Sequence, residues 1–202
     1  IRDSLGTYGT TNLVDLVNAI GRLPTKNHWT GYYEDAEKIG PEAIRSGYRI
    51  ARDSCFSCLI QCKYMSNVDA GPYAGTFSGG PEYESIFALG SNCLVNDIEA
   101  IMHANMLCNL YGMDTISVGK CISFAMECYE QGLLSKGEVD GLDLKWGNAE
   151  AMTNLIHKIA RREGFGDLLA EGVRRASRKI GKGSERFAMH VKGLEISGQD
   201  GR

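Results

Sequence analysis

The chain has 202 residues, 43% hydrophobic and 23% charged, with a formal net charge of −3, which is ordinary globular composition and enough length for a real core. No Lys/Arg run is present to grip nucleic acid or an anionic membrane, and no apolar stretch reaches the ~20 residues needed to span a bilayer. Seven cysteines, odd in number and with four in helical pattern, make a poor disulfide framework and point to free thiols in a reducing, cytoplasmic setting.

Apolar positions recur at helical spacing almost throughout. Residues 10–24 (TTNLVDLVNAIGRLP) place Leu13, Val14, Val17 and Ile20 on one face behind a threonine cap, and Pro24 stops them. Residues 33–50 are a polar helical stretch interrupted at Gly40-Pro41, and 71–85 (GPYAGTFSGGPEYES) read as an ordered glycine-rich loop. Residues 96–112 begin on an Asn96/Asp97 cap and end on Gly112, and 114–132 begin on Asp114 or Thr115, so a short connection joins two angled or antiparallel helices. A glycine-rich linker over 136–148 leads to helical patterns at 148–166 and 166–181. Only 187–197 alternate like a strand. The expected fold is therefore all-α: one multihelical domain over 1–202 with very little sheet. Its 1–92 part carries the cysteine motif and the glycine-rich loop. The start in helical pattern at Ile1 and the stop at GQDGR read as a fragment of a larger protein.

The chemistry concentrates in DSCFSCLIQCK (53–63), where Cys55, Cys58 and Cys62 form C-x2-C-x3-C. On a straight helix the three thiols would share a face, but the first and last would lie ~10 Å apart at 1.5 Å per residue, too far for one small cluster. The segment is therefore expected to bend. Zinc would call for a second Cys/His pair that the chain does not offer. Three close thiolates plus one remote is how cubane iron–sulfur clusters are held. Radical-SAM enzymes use the reverse order. Cys93 is a candidate fourth ligand, at a separation close to that of the molybdopterin reductases resembling formate dehydrogenase. Cys108, Cys121 and Cys128 read as core filler.

Six stretches taken together resemble the tungsten-containing aldehyde:ferredoxin oxidoreductases: GRLPTKNHWTG (21–31), SCFSCLIQCK (54–63), GGPEYESIFALGSNC (79–93), LCNLYGMDTISVG (107–119), FAMECYEQGLL (124–134) and HVKGLEISGQDGR (190–202). The resemblance runs the length of the chain and covers the middle of such a protein, matching its helical domains 2 and 3. It implies a [4Fe–4S] cluster held by Cys55, Cys58 and Cys62, with the fourth cysteine outside this chain, a reading that competes with Cys93. It implies a tungsten (or molybdenum) bis-pterin, both cofactors being absent if the piece stands alone. It also implies aldehyde oxidation to carboxylic acids with ferredoxin as electron acceptor.

By the same resemblance, 93–202 would be the pterin-binding part. Asp114 matches a carboxylate that hydrogen-bonds a donor-rich pterin edge, although it would serve equally as a helix cap. Glu82 and Glu84 match an acidic residue near the metal, a general acid or base, with Glu84 weakly preferred. Asp200 and Arg202 belong to the last motif, where Arg202 would clamp a pterin phosphate. There QDGR replaces an ending usually close to YDPR, which admits a second reaction, that of the tungsten benzoyl-CoA reductases. Lys63 replaces a residue often less charged. A third reading is a cofactor-free helical domain, inactive in isolation. Self-association is compatible with all three.

Overall fold

The computed structural model describes residues 2–200, half of them helical and 11% in strands that form two sheets. The all-α expectation is thereby overturned: the architecture is mixed, with helices packed around and beside sheet.

Two short helices, α1 (Arg2–Tyr8) and α2 (Leu13–Ala19), are joined by a 3-10 turn and followed by α3 (Ala36–Ile39) and α4 (Pro41–Gly47). Pro41 opens α4 at a position whose N–H would be unsatisfied anyway. Next come β1 (Arg49–Asp53), β2 (Lys63–Val68) and β3 (Thr76–Gly79), an antiparallel sheet in the order β1-β2-β3. These strands explain why sheet was missed. β1 is almost wholly exposed and offers no alternation. β2 buries Tyr64, Ser66 and Val68, so a serine interrupts its apolar face. β3 is inverted in polarity, burying Thr76 and Ser78 while Phe77 is exposed. The buried hydroxyls are satisfied by one later helix, residues 98–111: Thr76 Oγ1 pairs with His103 Nδ1 at 2.9 Å, and Asn109 Nδ2 donates to Ser78 Oγ at 2.8 Å.

The core is built by α5 (Tyr83–Leu89), α6 (Ile98–Tyr111), α7 (Thr115–Glu130) and α8 (Ala149–Arg161). Every residue of α7 from Val118 to Cys128 is buried, so α7 is the central helix and α5 packs along it. The caps expected at Asp97 and Gly112 are present, and Asn148 adds another, but the expected threonine cap of α2 is not: Thr10 and Thr11 donate to Glu82 and to the Tyr8 carbonyl instead. Asp97 accepts from the Glu99 and Ala100 N–H groups, Asn148 from the Ala151 N–H, and Gly112 closes α6 in the left-handed region at φ 67°. The helical pattern at 166–181 divides into α9 (Phe165–Leu169) and α10 (Val173–Ile180), broken at Gly172. The alternating stretch 187–197 forms only a small hairpin, β4 (His190–Val191) with β5 (Leu194–Glu195), turned at Lys192 and Gly193. Cys93, Cys108, Cys121 and Cys128 are all buried in the core. Cys93 Sγ donates to the carbonyls of Ala88 and Gly119, and burial pushes its thiol up to about 12.

Candidate functional site

The three motif cysteines lie on the connection 54–62 at the tip of the β1–β2 hairpin, closed at its base by the pairing of Asp53 with Lys63. The segment bends as expected. The Cys58 N–H donates to the Cys55 carbonyl at 3.0 Å, and Ser57 and Gln61 both turn through the left-handed region at φ 56°. Cys55 is exposed and Cys58 and Cys62 half-buried, all three as free thiols. The backbone N–H groups of Ile60 and then Gln61 hold the Cys58 thiol below its ordinary range, so this loop favours a thiolate. Among the described residues no three His, Cys, Asp or Glu side chains converge tightly enough to hold a metal ion. Three unpaired cysteines on one loop, one of them stabilised as thiolate, are the soft donor set that iron–sulfur clusters take, and they fit three of its four ligands.

The hairpin base is fixed from below. Gly9, at φ 72°, packs so closely that a Cβ there would lie 2.9 Å from both the Cys62 carbonyl oxygen and the Tyr64 ring. Only glycine tolerates that approach and that φ together.

Asp53 and Lys63 also line a cavity of about 380 Å³ whose other walls include Tyr64, Glu82, Asn109 and Asp114. Sequence positions 82 and 114, on opposite sides of the residue 92 division, thus meet in one space next to the cysteine hairpin. Glu82 precedes α5, and its carboxylate accepts a short hydrogen bond from Thr10 Oγ1, which in turn accepts the Tyr83 N–H at 2.9 Å. Glu84 sits in the first turn of the same helix but is engaged elsewhere, accepting the Gly198 N–H at 2.7 Å. Asp114 is exposed and caps α7 through Oδ2, which accepts the Ser117 N–H at 2.7 Å. The cap uses one of its two carboxylate oxygens. The cavity has the size of a small-molecule site and an acceptor-rich wall, which fits the donor-rich edge of a pterin.

Asp200 is buried, and its backbone carbonyl accepts a short hydrogen bond from Arg22. The segment that carries it is therefore held against the loop 21–31. Arg202 lies outside the described residues.

Three groups that sequence reasoning did not single out complete the setting. Asn105 and Asn109, on α6, reach the cavity, and a pair of asparagines at spacing four in the apolar second half of that helix was their only signal. Glu195 accepts the Val173 N–H at 2.9 Å and a hydrogen bond from Ser117 Oγ at 3.1 Å, and it lines a second cavity of about 490 Å³. Asp114 borders that cavity too. Lys120 is fully buried, donating to Asn27 Oδ1 at 2.9 Å while Asn27 Nδ2 donates to Glu127 at 2.5 Å. Asn27, the middle one of three consecutive left-handed residues, Lys26, Asn27 and His28, is pinned by this network. Nothing in the sequence pattern distinguishes a buried lysine from a surface one.

Comparison with known proteins follows the same lines. The model of the family described as aldehyde ferredoxin oxidoreductase, domains 2 and 3, matches residues 1–202. The chain is 43% identical over 201 residues to a tungsten-containing aldehyde ferredoxin oxidoreductase of Pyrococcus abyssi, and 42% identical over 201 residues to that of Pyrococcus horikoshii. Each match covers 98% of this chain and 32% of the relative, so the chain spans about a third of their length. A solved structure described as the active site complex BamBC of benzoyl coenzyme A reductase with 1,5-dienoyl-CoA shares the fold. Its TM-score is 0.75 at 21% identity, covering 96% of this chain and 29% of that one.

Proposed function

Because the chain belongs to the aldehyde ferredoxin oxidoreductase family, we propose that it forms part of a tungstopterin oxidoreductase that oxidises aldehydes to carboxylic acids. In that enzyme Cys55, Cys58 and Cys62 would supply three of the ligands of a [4Fe–4S] cluster, whose chemistry would be one-electron transfer to ferredoxin. Residues 1–92 carry the cluster side and 93–202 the pterin side of a single domain. The observation that carries this reading is the cavity in which Glu82 and Asp114 meet, rimmed by Asp53 and Lys63 at the base of the cysteine hairpin.

When bound, a pterin-held tungsten supplies the two-electron oxidation of the substrate carbon and the cluster the one-electron relay. The chain's own residues do the rest. Asp114, fixed by its helix cap, accepts from the N–H edge of the pterin. Glu82, held by Thr10, exchanges a proton with the aldehyde, its hydrate or water at the cavity wall. Glu84 acts one step back: it holds Gly198 and hence the segment carrying Asp200, and the assignment of Asp200 and Arg202 to the cofactor rests on the family resemblance of that last motif. Backbone N–H groups of Ile60 and Gln61 stabilise the Cys58 thiolate as a ligand.

The test is anaerobic purification of the full-length parent with iron and tungsten analysis, then dye-linked assay with aldehydes and, in parallel, with benzoyl-CoA. Iron, tungsten and aldehyde-dependent viologen reduction are expected, with Glu82→Gln lowering turnover by 10²-fold or more while retaining both metals. Turnover of benzoyl-CoA alone would transfer the scaffold to ring reduction. A colourless, metal-free protein would leave a cofactor-free assembly domain.

A further inference from the structure

We propose that Lys63 raises the reduction potential of the cluster assigned to Cys55, Cys58 and Cys62, acting as a fixed positive charge between that cluster and the cofactor cavity. The inference rests on the cluster reading above and adds a residue that sets how readily the cluster takes an electron.

The placement is specific. Lys63 follows Cys62 directly, so their Cα atoms are about 3.8 Å apart. It is the first residue of β2, and its pairing with Asp53 of β1 fixes where its backbone stands. Its side chain lines the cavity shared by Glu82 and Asp114. Among the described residues it enters none of the ion pairs. The acid opposite it in register, Asp53, spends one oxygen on the Ser54 N–H at 2.8 Å. A second cation, Arg52, flanks the same loop, lining a small recess with Leu59, Ile60 and Gln61.

Reduction of a thiolate-ligated cluster adds one negative charge without changing its ligands. A nearby cation that no carboxylate neutralises therefore favours the reduced state, while an anion opposes it. One unit charge about 10 Å away in an effective dielectric of ~20 changes that equilibrium by roughly tenfold.

The experiment uses the full-length parent, purified anaerobically, with the cluster midpoint read by redox titration followed by electron paramagnetic resonance. Lys63→Gln is expected to lower the equilibrium constant for cluster reduction about tenfold, which is ~59 mV for a one-electron couple. Asp53→Asn is expected to move it the opposite way, and Lys63→Arg to leave it unchanged. Opposite signs from the two sides of one hairpin base are not what general loosening would produce. Iron-replete variants whose midpoints all equal that of the parent overturn the inference. A parent that holds no iron overturns the cluster reading instead.

Discussion

Tyr83 and Glu84, consecutive at the start of α5, hold Gly198 from two sides: Tyr83 Oη donates to its carbonyl at 2.6 Å and Glu84 Oε2 accepts its N–H at 2.7 Å. A Cβ on Gly198 would lie 2.8 Å from the Phe87 ring and 3.1 Å from that same Glu84 oxygen. Gly198→Ala is therefore expected to cost about 1–3 kcal/mol through overpacking in a buried joint. Glu84→Gln keeps an acceptor and should cost little, while Glu84→Ala strands a buried N–H and should cost ~1–3 kcal/mol. Urea unfolding of the three variants checks the order. Equal stability of Gly198→Ala and the parent would show that the joint has room to spare.

The cysteine loop carries a sharper prediction. Serine in place of Cys55, Cys58 or Cys62 should strip iron from the full-length parent, whereas Cys93→Ala should retain it. Cys93 lies in the core, donating to two carbonyls, and its burial disfavours the thiolate that a metal needs. Its loss should cost about 1 kcal/mol of stability through the cavity left behind. Iron analysis paired with unfolding separates the two outcomes. Loss of iron in Cys93→Ala would make Cys93 a ligand.

Much of this arrangement was legible in the residues, and the rest was hidden for identifiable reasons. Asp97, Gly112, Asp114 and Asn148 announce helix ends because capping is local chemistry, satisfied within a few positions of the chain. The bend at 54–62 followed from the reach of three thiols. The sheet did not show, because β3 turns Thr76 and Ser78 inward, toward His103 and Asn109 on a helix more than twenty positions away. Apolar periodicity cannot report a face that is buried by hydrogen bonds. Likewise Glu82 and Glu84 are equivalent in sequence. Only Thr10 and Gly198, 72 and 114 positions distant, send one to the cavity and the other to a structural joint.

Asp114 does two jobs that a pair of substitutions can separate. Asn caps a helix about as well as Asp, so Asp114→Asn should leave stability within ~0.5 kcal/mol, while Asp114→Ala should cost about 1 kcal/mol. The asparagine, however, brings an N–H₂ donor to face a donor-rich pterin edge. Pterin and tungsten content of the full-length parent should therefore fall in both variants. A fully loaded Asp114→Asn protein would reduce Asp114 to a cap.

Lys120 gives a pH dependence with a definite sign. Burial drives its ammonium down to about 7, offset in part by the charges of Cys93, Glu127, Cys121 and Glu195. In the unfolded chain it titrates near 10.4, so above pH 7 the unfolded state binds more protons and stability rises with pH, by up to about 1.4 kcal/mol per unit. Below pH 7 both states are protonated and the full cost of burying the charge is present. The rise ends between about pH 8 and 8.5, where the thiols of Cys93, Cys108 and Cys128, pushed up to about 12 by burial, and of Cys121, also raised by burial, ionise in the unfolded chain alone and reverse the slope. Stability should therefore peak at about pH 8–8.5. Lys120→Met removes the titrating group, which flattens the climb between pH 7 and 8, and leaves Asn27 Oδ1 without its lysine donor. Urea midpoints taken at half-unit intervals across that range decide it: a parent curve already flat there would mean that Lys120 stays charged in the folded protein, carried by Glu127 through Asn27.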